Sequence, residues 1–324
     1  MNLIVEREKG PLQELETRIA TLRQRGSGSS GDVAVLEEKY RELLSDLFGN
    51  LTPWERVHMA RHPKRPIAGD YLAGFDQLDE LHGDRHFRDD RALVGGFARL
   101  RGRRVVYLAQ QKGRDTKENI RRNFGMVSPE GYRKAKRLME LASRFGLPIV
   151  TLVDTSGADP GIASEEHAQS EAIAACLIAL SKATVPVVSA IIGEGGSGGA
   201  LAIALADRVI MAENAVYSVA SPEGCAAILW GDSARAPEAA ERLKLTSTDL
   251  LGFGIVDRVV KEPLGGAHRD SEGFVGVVLD AIDQELAALA DTPSAILREN
   301  RYAKFRRIGA WEQTHVAAMA TALT

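Results

Sequence analysis

A strand that runs into a helix through five glycines constrains this chain more than any other stretch. Residues 187–206 read VVSAIIGEGGSGGALAIALA. The apolar run Val187 to Ile192 predicts a buried strand, and Ala200 to Ala206 predicts a buried helix. Between them, Gly193, Gly195, Gly196, Gly198 and Gly199 permit positive φ and let a ligand approach the amides with no Cβ in the way. Unpaired N–H groups and the positive end of the helix dipole then make a site for negative charge.

The rest of the chain is consistent with a buried site of that kind. With 324 residues, 44% of them hydrophobic, it fills a full core. Lys plus Arg (41) nearly balance Asp plus Glu (44), so net charge gives no reason to expect nucleic acid as a partner. Cys176 and Cys225 form no C-x-x-C pair and no disulfide framework, which fits a reducing, cytoplasmic setting. The first ten residues lack the apolar run of a signal peptide. The apolar stretch around Ile191 to Ile210 is broken by glycines and Glu194, so no membrane span is expected.

Apolar spacing predicts two helices within residues 11–48, joined by the flexible connector Gly26 to Gly31. Residues 1–50 therefore read as a helical hairpin arm and 51–324 as the main domain. Thr52-Pro53-Trp54-Glu55 carries the pattern of a capping box. Asp70 to Leu81 reads as a short helix, and HGDRHFRDD (82–90) as a polar loop without the spacing of a helical zinc motif. Two β-rich runs, 92–100 and 104–110, form a hairpin about Arg101-Gly102-Arg103. Asp115 or Thr116 caps a helix with a Glu118–Arg122 pair that Gly125 ends, in a basic segment holding Lys112, Arg114, Lys117, Arg121 and Arg122. Basic runs of this kind are usually solvated faces, though phosphate contact is the functional alternative.

Further on, Pro129 to Phe145 predicts a helix stopped by Gly146, burying Tyr132, Ala135, Leu138, Met139 and Ala142. The plan Pro, strand, Gly-containing loop, helix then occurs twice, at 146–171 and 184–206, with Glu165 to Ala183 as one long helix. Short strands at RVIMAE, AVYSVA and IVDRVV follow, with Ser221 capping a helix, and terminal helices at 273–291 and 294–320. Strands alternating with helices argue for an α/β fold, as a spiral or a doubly wound sheet. Cys225 and Ser221 invite a nucleophile reading, but helix-start packing and capping explain them, and no G-x-S-x-G elbow is present.

Six motifs in order, RRNFGM (121–126), PEGYRKA (129–135), QSEAIA (169–174), IGEGGSGGALAIA (192–204), SPEGCA (221–226) and EPLGGAHR (262–269), closely resemble the α-subunit family of bacterial acetyl-coenzyme A carboxylase carboxyltransferases. The resemblance covers nearly the whole chain. It implies an α/β, crotonase-like spiral of ββα units. It also implies an α2β2 heterotetramer with a carboxyltransferase β subunit, served by a biotin carboxyl carrier protein, that moves a carboxyl group from carboxybiotin to acetyl-CoA. The malonyl-CoA formed feeds fatty acid synthesis. No metal and no ATP are expected on this chain.

Carried over, the resemblance makes the amides of Gly198 and Gly199 the oxyanion hole for the biotin ureido oxygen. Gly195, Gly196 and Ser197, with Gly157 and Ala158 of the neighbouring loop, would shape the substrate site. The sequence departs from the family at Ser156 (usually Pro), Asp159 (usually aromatic), Gln110 (often His) and His167-Ala168 (usually a pair such as Arg-Gly). A carboxyltransferase for another acyl-CoA, a crotonase-type hydratase or decarboxylase, and a non-catalytic assembly or regulatory subunit are the alternatives.

Overall fold

The computed structural model describes residues 2–25 and 30–309. Eight strands form one mixed sheet: β1 (Gln77–Glu80), β2 (Leu93–Leu100), β3 (Arg103–Gln110), β4 (Ile149–Thr155), β5 (Val187–Gly196), β6 (Arg208–Ala212), β7 (Val216–Ser218) and β8 (Arg258–Val260). Their order is β1-β2-β3-β4-β5-β6-β8, with β7 paired to the far end of β5. The first two pairings are antiparallel. All later ones are parallel, and helices cross over between those strands. β4 and β5 are buried along their whole length, as strands covered on both faces must be. The main core fills both sides of this central sheet.

Local chemistry sets most elements. Arg101 (φ 47°) and Gly102 (φ 78°) make the tight β2–β3 turn with both residues left-handed. Thr52 and Glu55 form the reciprocal capping box on Pro53–Ala60. Asp115 caps Thr116–Arg121, and Gly146 ends Pro129–Phe145 in the left-handed conformation. All five residues expected on the buried face of that helix are buried.

Three expectations need correction. The helix expected over Asp70 to Leu81 stops at Ala73, within Ala68–Ala73, and residues 77–80 form edge strand β1. Gly96 makes this possible: a Cβ there would lie 2.9 Å from the Glu80 Cα, so only a glycine lets β1 lie so close to β2. The long helix expected from Glu165 to Ala183 is two helices, Ile162–Glu166 and Gln169–Lys182. The break is Ala168, held at φ 62°. The last helix runs over Ser294–Arg306 rather than to 320, and residues 310–320 lie outside those described.

Ala168 carries a Cβ penalty that glycine would not. We expect Ala168→Gly to gain about 0.5–1 kcal/mol, the left-handed penalty less the extra chain entropy of glycine. A urea midpoint that falls on this substitution would contradict the strain argument.

The arm forms the helices Leu3–Arg7, Pro11–Arg25 and Ser30–Phe48, and the expected connector at 26–29 lies outside the described residues. Ile4, Leu12, Leu44 and Phe48 bury with Leu51 and Met59 in a separate small cluster. Glu8 ties these N-terminal helices to the segments that carry His62 and His268. Its carboxylate meets Nε2 of His62 at 3.1 Å and Nε2 of His268 at 2.7 Å, and accepts from Arg269 at 2.7 Å. Burial opposes its ionisation, but the two imidazole hydrogen bonds and Arg269 outweigh it and hold the carboxyl well below its ordinary range.

Candidate functional site

The carboxyl ends of the parallel strands β3, β4 and β5 converge, the usual place for a site in a parallel α/β sheet. β3 leads to Gln110 and Lys112, β4 to Asp154 and the loop 156–161, and β5 to Glu194 and the glycines. The glycine strand passes directly into the helix Ser197–Ala204. Gly198 and Gly199 lie in its first turn, where N–H groups have no partner inside the helix.

Positive φ, one of the two freedoms expected of these glycines, is not used; the absence of a Cβ is. None of the five is left-handed; the left-handed residue at the turn is Ser197, at φ 54°. A Cβ on Gly193 would lie 2.8 Å from the Asp154 carboxyl carbon, and one on Gly195 would lie 2.6 Å from the Tyr217 ring. On Gly196 it would sit 2.9 Å from the Gly157 nitrogen, with the Ser156 carbonyl closer still. On Gly199 it would lie 2.5 Å from the Gly157 carbonyl carbon, with the Ala158 nitrogen closer still. Gly198 differs: only Ile173 comes near, at 3.8 Å, and the residue is half-buried. The structure thus brings Gly195, Gly196, Gly199, Gly157 and Ala158 together in one packed turn, and leaves Ser197 and Gly198 on its open side. Behind Gly195 and Gly196, among Ser156, Glu194, Ser218 and Ser221, is a cavity of only about 20 Å³, room for a single water.

Two side chains fix the turn from below. Gln110 donates from Nε2 to the Gly199 carbonyl at 2.7 Å, and its Oε1 accepts from the Asp154 N–H at 3.2 Å. The Tyr132 hydroxyl donates to the same Gly199 carbonyl at 3.0 Å. Burial holds that phenol protonated, far above its ordinary range. Gln110 therefore holds the glycine turn to β4.

The other departures are also satisfied locally. Asp159 accepts from the Gly161 N–H at 3.2 Å and from the Ser164 hydroxyl at 2.6 Å, so its carboxylate is satisfied by residues at the start of Ile162–Glu166. Ser156 is exposed. His167 Nδ1 meets Glu130 at 2.6 Å. Cys176 is buried on the Tyr132 carbonyl, its thiol pushed up to about 12 by burial. Ser221 accepts from the Gly224 N–H, as a cap does.

Beside the turn lies a charge cluster; the sequence offers Glu194 and Glu223 as candidates for polar contacts but does not join them to Lys112, Asp154 or Arg61. Lys112 Nζ lies 2.7 Å from Asp154 and 3.0 Å from Glu194. Arg61 donates to Glu194 at 2.7 Å and to Glu223 at 2.5 Å. Burial alone would raise the Glu194 pKa, but Lys112 and Arg61 bring it down to about 2. Lys112 reads as one cation in a basic surface run; its place directly after a strand end was the available signal. Of that run, Arg114 pairs with Asp70 and Arg122 with Glu118.

Among the described residues, Glu8, His62 and His268 are the one group spaced to hold a metal ion. His62 Nδ1 accepts from the Lys64 backbone N–H at 3.2 Å, which leaves its Nε2 protonated and facing Glu8. A metal-ligating Nε2 requires the opposite tautomer. This constellation suits a carboxylate clamp.

Residues 4–309 match the family model described as acetyl co-enzyme A carboxylase carboxyltransferase-like. The chain is 52% identical over 314 residues to the acetyl-coenzyme A carboxylase carboxyl transferase subunit alpha of Erythrobacter litoralis, covering 95% of this chain and 100% of that protein. It is 51% identical over 308 residues to the protein of the same name from Thermus thermophilus, covering 94% and 98%. Among solved structures, a Pseudomonas malonate decarboxylase hetero-tetramer in complex with coenzyme A aligns at a TM-score of 0.58 and 19% identity, over 74% of this chain and 97% of that one. Transcarboxylase 12S with hydrolyzed methylmalonyl-coenzyme A bound aligns at 0.53 and 25%, over 69% and 43%. The architecture is the crotonase-like one that the strand–loop–helix repetition allowed as a spiral.

Proposed function

The chain belongs to the acetyl-coenzyme A carboxylase carboxyltransferase family, and from that premise we propose how its glycine turn works as one half of a biotin-dependent carboxyl-transfer site. The protein is the α subunit of such an enzyme and makes malonyl-CoA from acetyl-CoA. The amides of Gly198 and Gly199 donate to the ureido oxygen of carboxybiotin, which arrives on a biotin carboxyl carrier protein. A β subunit supplies the acetyl-CoA side in an α2β2 assembly. No described helix is long and apolar enough to cross a membrane, and the assembly works in the cytoplasm. Residues 1–50 serve as an arm on a catalytic domain of 51–324.

The observation that carries this reading is the half-exposed Gly198 on the open side of a turn whose every other glycine is packed against backbone or a side chain. That opening would leave the first-turn amides accessible to the ureido oxygen. Carboxybiotin supplies the carboxyl group and, after transfer begins, a ureido nitrogen basic enough to take the methyl proton. The chain's own contribution is electrostatic. Fixed N–H donors meet negative charge as it develops, and one such donor is worth about 2.7–4 kcal/mol in other oxyanion holes. Gln110 and Tyr132 hold Gly199 from below, so the donors need not reorganise during the reaction.

The test is reconstitution with a cognate β subunit and measurement of malonyl-CoA formed from carboxybiotin and acetyl-CoA. The expected result is turnover by the complex and none by the α chain alone on an enoyl-CoA. A well-folded complex without turnover would overturn the catalytic reading.

A further inference from the structure

Lys112 leaves β3 and turns inward instead of joining the solvated basic face of its segment. Its side chain is 19% exposed, and the carboxylates it meets, Asp154 and Glu194, are 5% and 11% exposed. Asp154 is the next-to-last residue of β4, just before the loop that carries Gly157 and Ala158. Glu194 stands in β5 just before Gly195 and Gly196. One ammonium group therefore joins the two backbones that meet at the glycine turn. Asp154 adds a second link by accepting the Glu194 N–H at 2.9 Å, and Gly193 gives it the room to do so. Gly125, at φ 78°, lies over the Lys112 stem, where a Cβ would come within 3.0 Å of its Cγ.

We infer that Lys112 is a positioning residue of the carboxyl-transfer site, holding loop 154–158 against the glycine strand so that the Gly198 and Gly199 amides keep their aim. This rests on the function proposed above. Lys112 is placed to act through charge. Asp154 faces it from β4 and Glu194 from β5. Arg61 and Glu223 stand beyond Glu194, and Arg65 and Tyr71 are close enough to Asp154 to feel its charge. Among the described residues, only Lys112 pairs with both carboxylates. Without it, two buried acids share a site with one cation, Arg61, on one of them. Like charges in such a site raise the pKa of one acid. Below that raised value the pair carries one charge and closes; above it both ionise and push the loop from the strand.

The experiment uses the Lys112→Met and Lys112→Met/Glu194→Gln variants in the complete complex with the β subunit. Amide hydrogen exchange at 156–158 and 196–199 is followed beside kcat and KM. At about pH 8 the single variant is expected to lose roughly 10²-fold in kcat, the size of effect that a displacement of about 1 Å produces, with little change in KM. Lowering the pH to about 6 is expected to shrink the loss, and the double variant to recover most of it at the higher pH. Exchange at the turn is expected to speed up in the single variant and return in the double. A kcat equal to wild type at the higher pH overturns the inference. So does a loss that is the same at both pH values and unrelieved by Glu194→Gln. An inactive wild-type complex would instead refute the proposed function, and the exchange arm alone would then decide whether Lys112 holds the loop.

Discussion

Gly199→Ala is expected to abolish useful turnover, whereas Gly198→Ala is expected to fold normally. The two glycines are adjacent and both are assigned as donors, so a sequence view makes them equivalent. Their surroundings do not. The new methyl on residue 199 would lie 2.5 Å from the Gly157 carbonyl carbon and 3.0 Å from the Tyr132 hydroxyl, with the Ala158 nitrogen closer than either. Two of those three are backbone and cannot swing aside, so the loop must lift. Overpacking of this kind costs about 1–3 kcal/mol of stability, and the lifted loop carries Gly157 and Ala158 with it. A loss of at least about 10²-fold in kcat is expected from the misplaced donor. At residue 198 the methyl meets only Ile173, at 3.8 Å. The melting temperature should hold, and any loss should appear in the reaction with carboxybiotin, where the methyl borders the open side. Equal Tm and equal kcat for the two variants would show that loop 156–158 does not press on the turn.

Much of this arrangement was legible because it rests on short-range rules. The Thr52–Glu55 capping box, the Arg101-Gly102 turn, the Gly146 stop and the buried face of Pro129–Phe145 each depend on residues a few positions apart. The strand–glycine–helix order at 187–206 was legible for the same reason. Features set by distant partners were not. Strand β1 is exposed along its length, so it has no alternation to read, and it forms because Gly96 in β2 admits it. The break at Ala168 carries no glycine to announce it. Lys112 looks like its basic neighbours until β4 and β5 bring Asp154 and Glu194 to it. Of the two freedoms read for these glycines, positive φ and approach with no Cβ in the way, only the second is used, and it is the chain's own loop and side chains that come close. Close approach is used at four of the five positions, while the positive φ falls on Ser197.

The second large effect lies at the opposite end of the glycine strand. Arg301, in the last described helix, is 1% exposed and makes five hydrogen bonds. Nε and a terminal nitrogen bind the two oxygens of Asp207 at 2.9 and 2.7 Å. The remaining donations go to the carbonyls of Leu180, Ala183 and Val185, where the helix Gln169–Lys182 ends and turns into β5. Asp207 also accepts the N–H of Val187, the first residue of β5. One guanidinium thus anchors the C-terminal helix, the preceding helix and the root of the strand that carries the site. Arg301→Met removes the cation, leaves Asp207 buried with one N–H for company, and takes the donor from the Ala183 and Val185 carbonyls, while Leu180 keeps the Ala183 N–H. Breaking a buried pair from one side costs about 3–5 kcal/mol, and urea denaturation should show a loss of that order. Arg301→Lys keeps the charge but cannot span Asp207 and three carbonyls, so it should fall between wild type and Met. Adding Asp207→Asn to Arg301→Met should recover part of the loss by removing the stranded charge, but not all, because the Ala183 and Val185 carbonyls remain unpaired. The turn lies at the far end of β5, so kcat per folded molecule should stay near wild type in every variant. A loss below about 1 kcal/mol for Arg301→Met, as for an exposed pair, would mean that this end of the strand is held by packing alone.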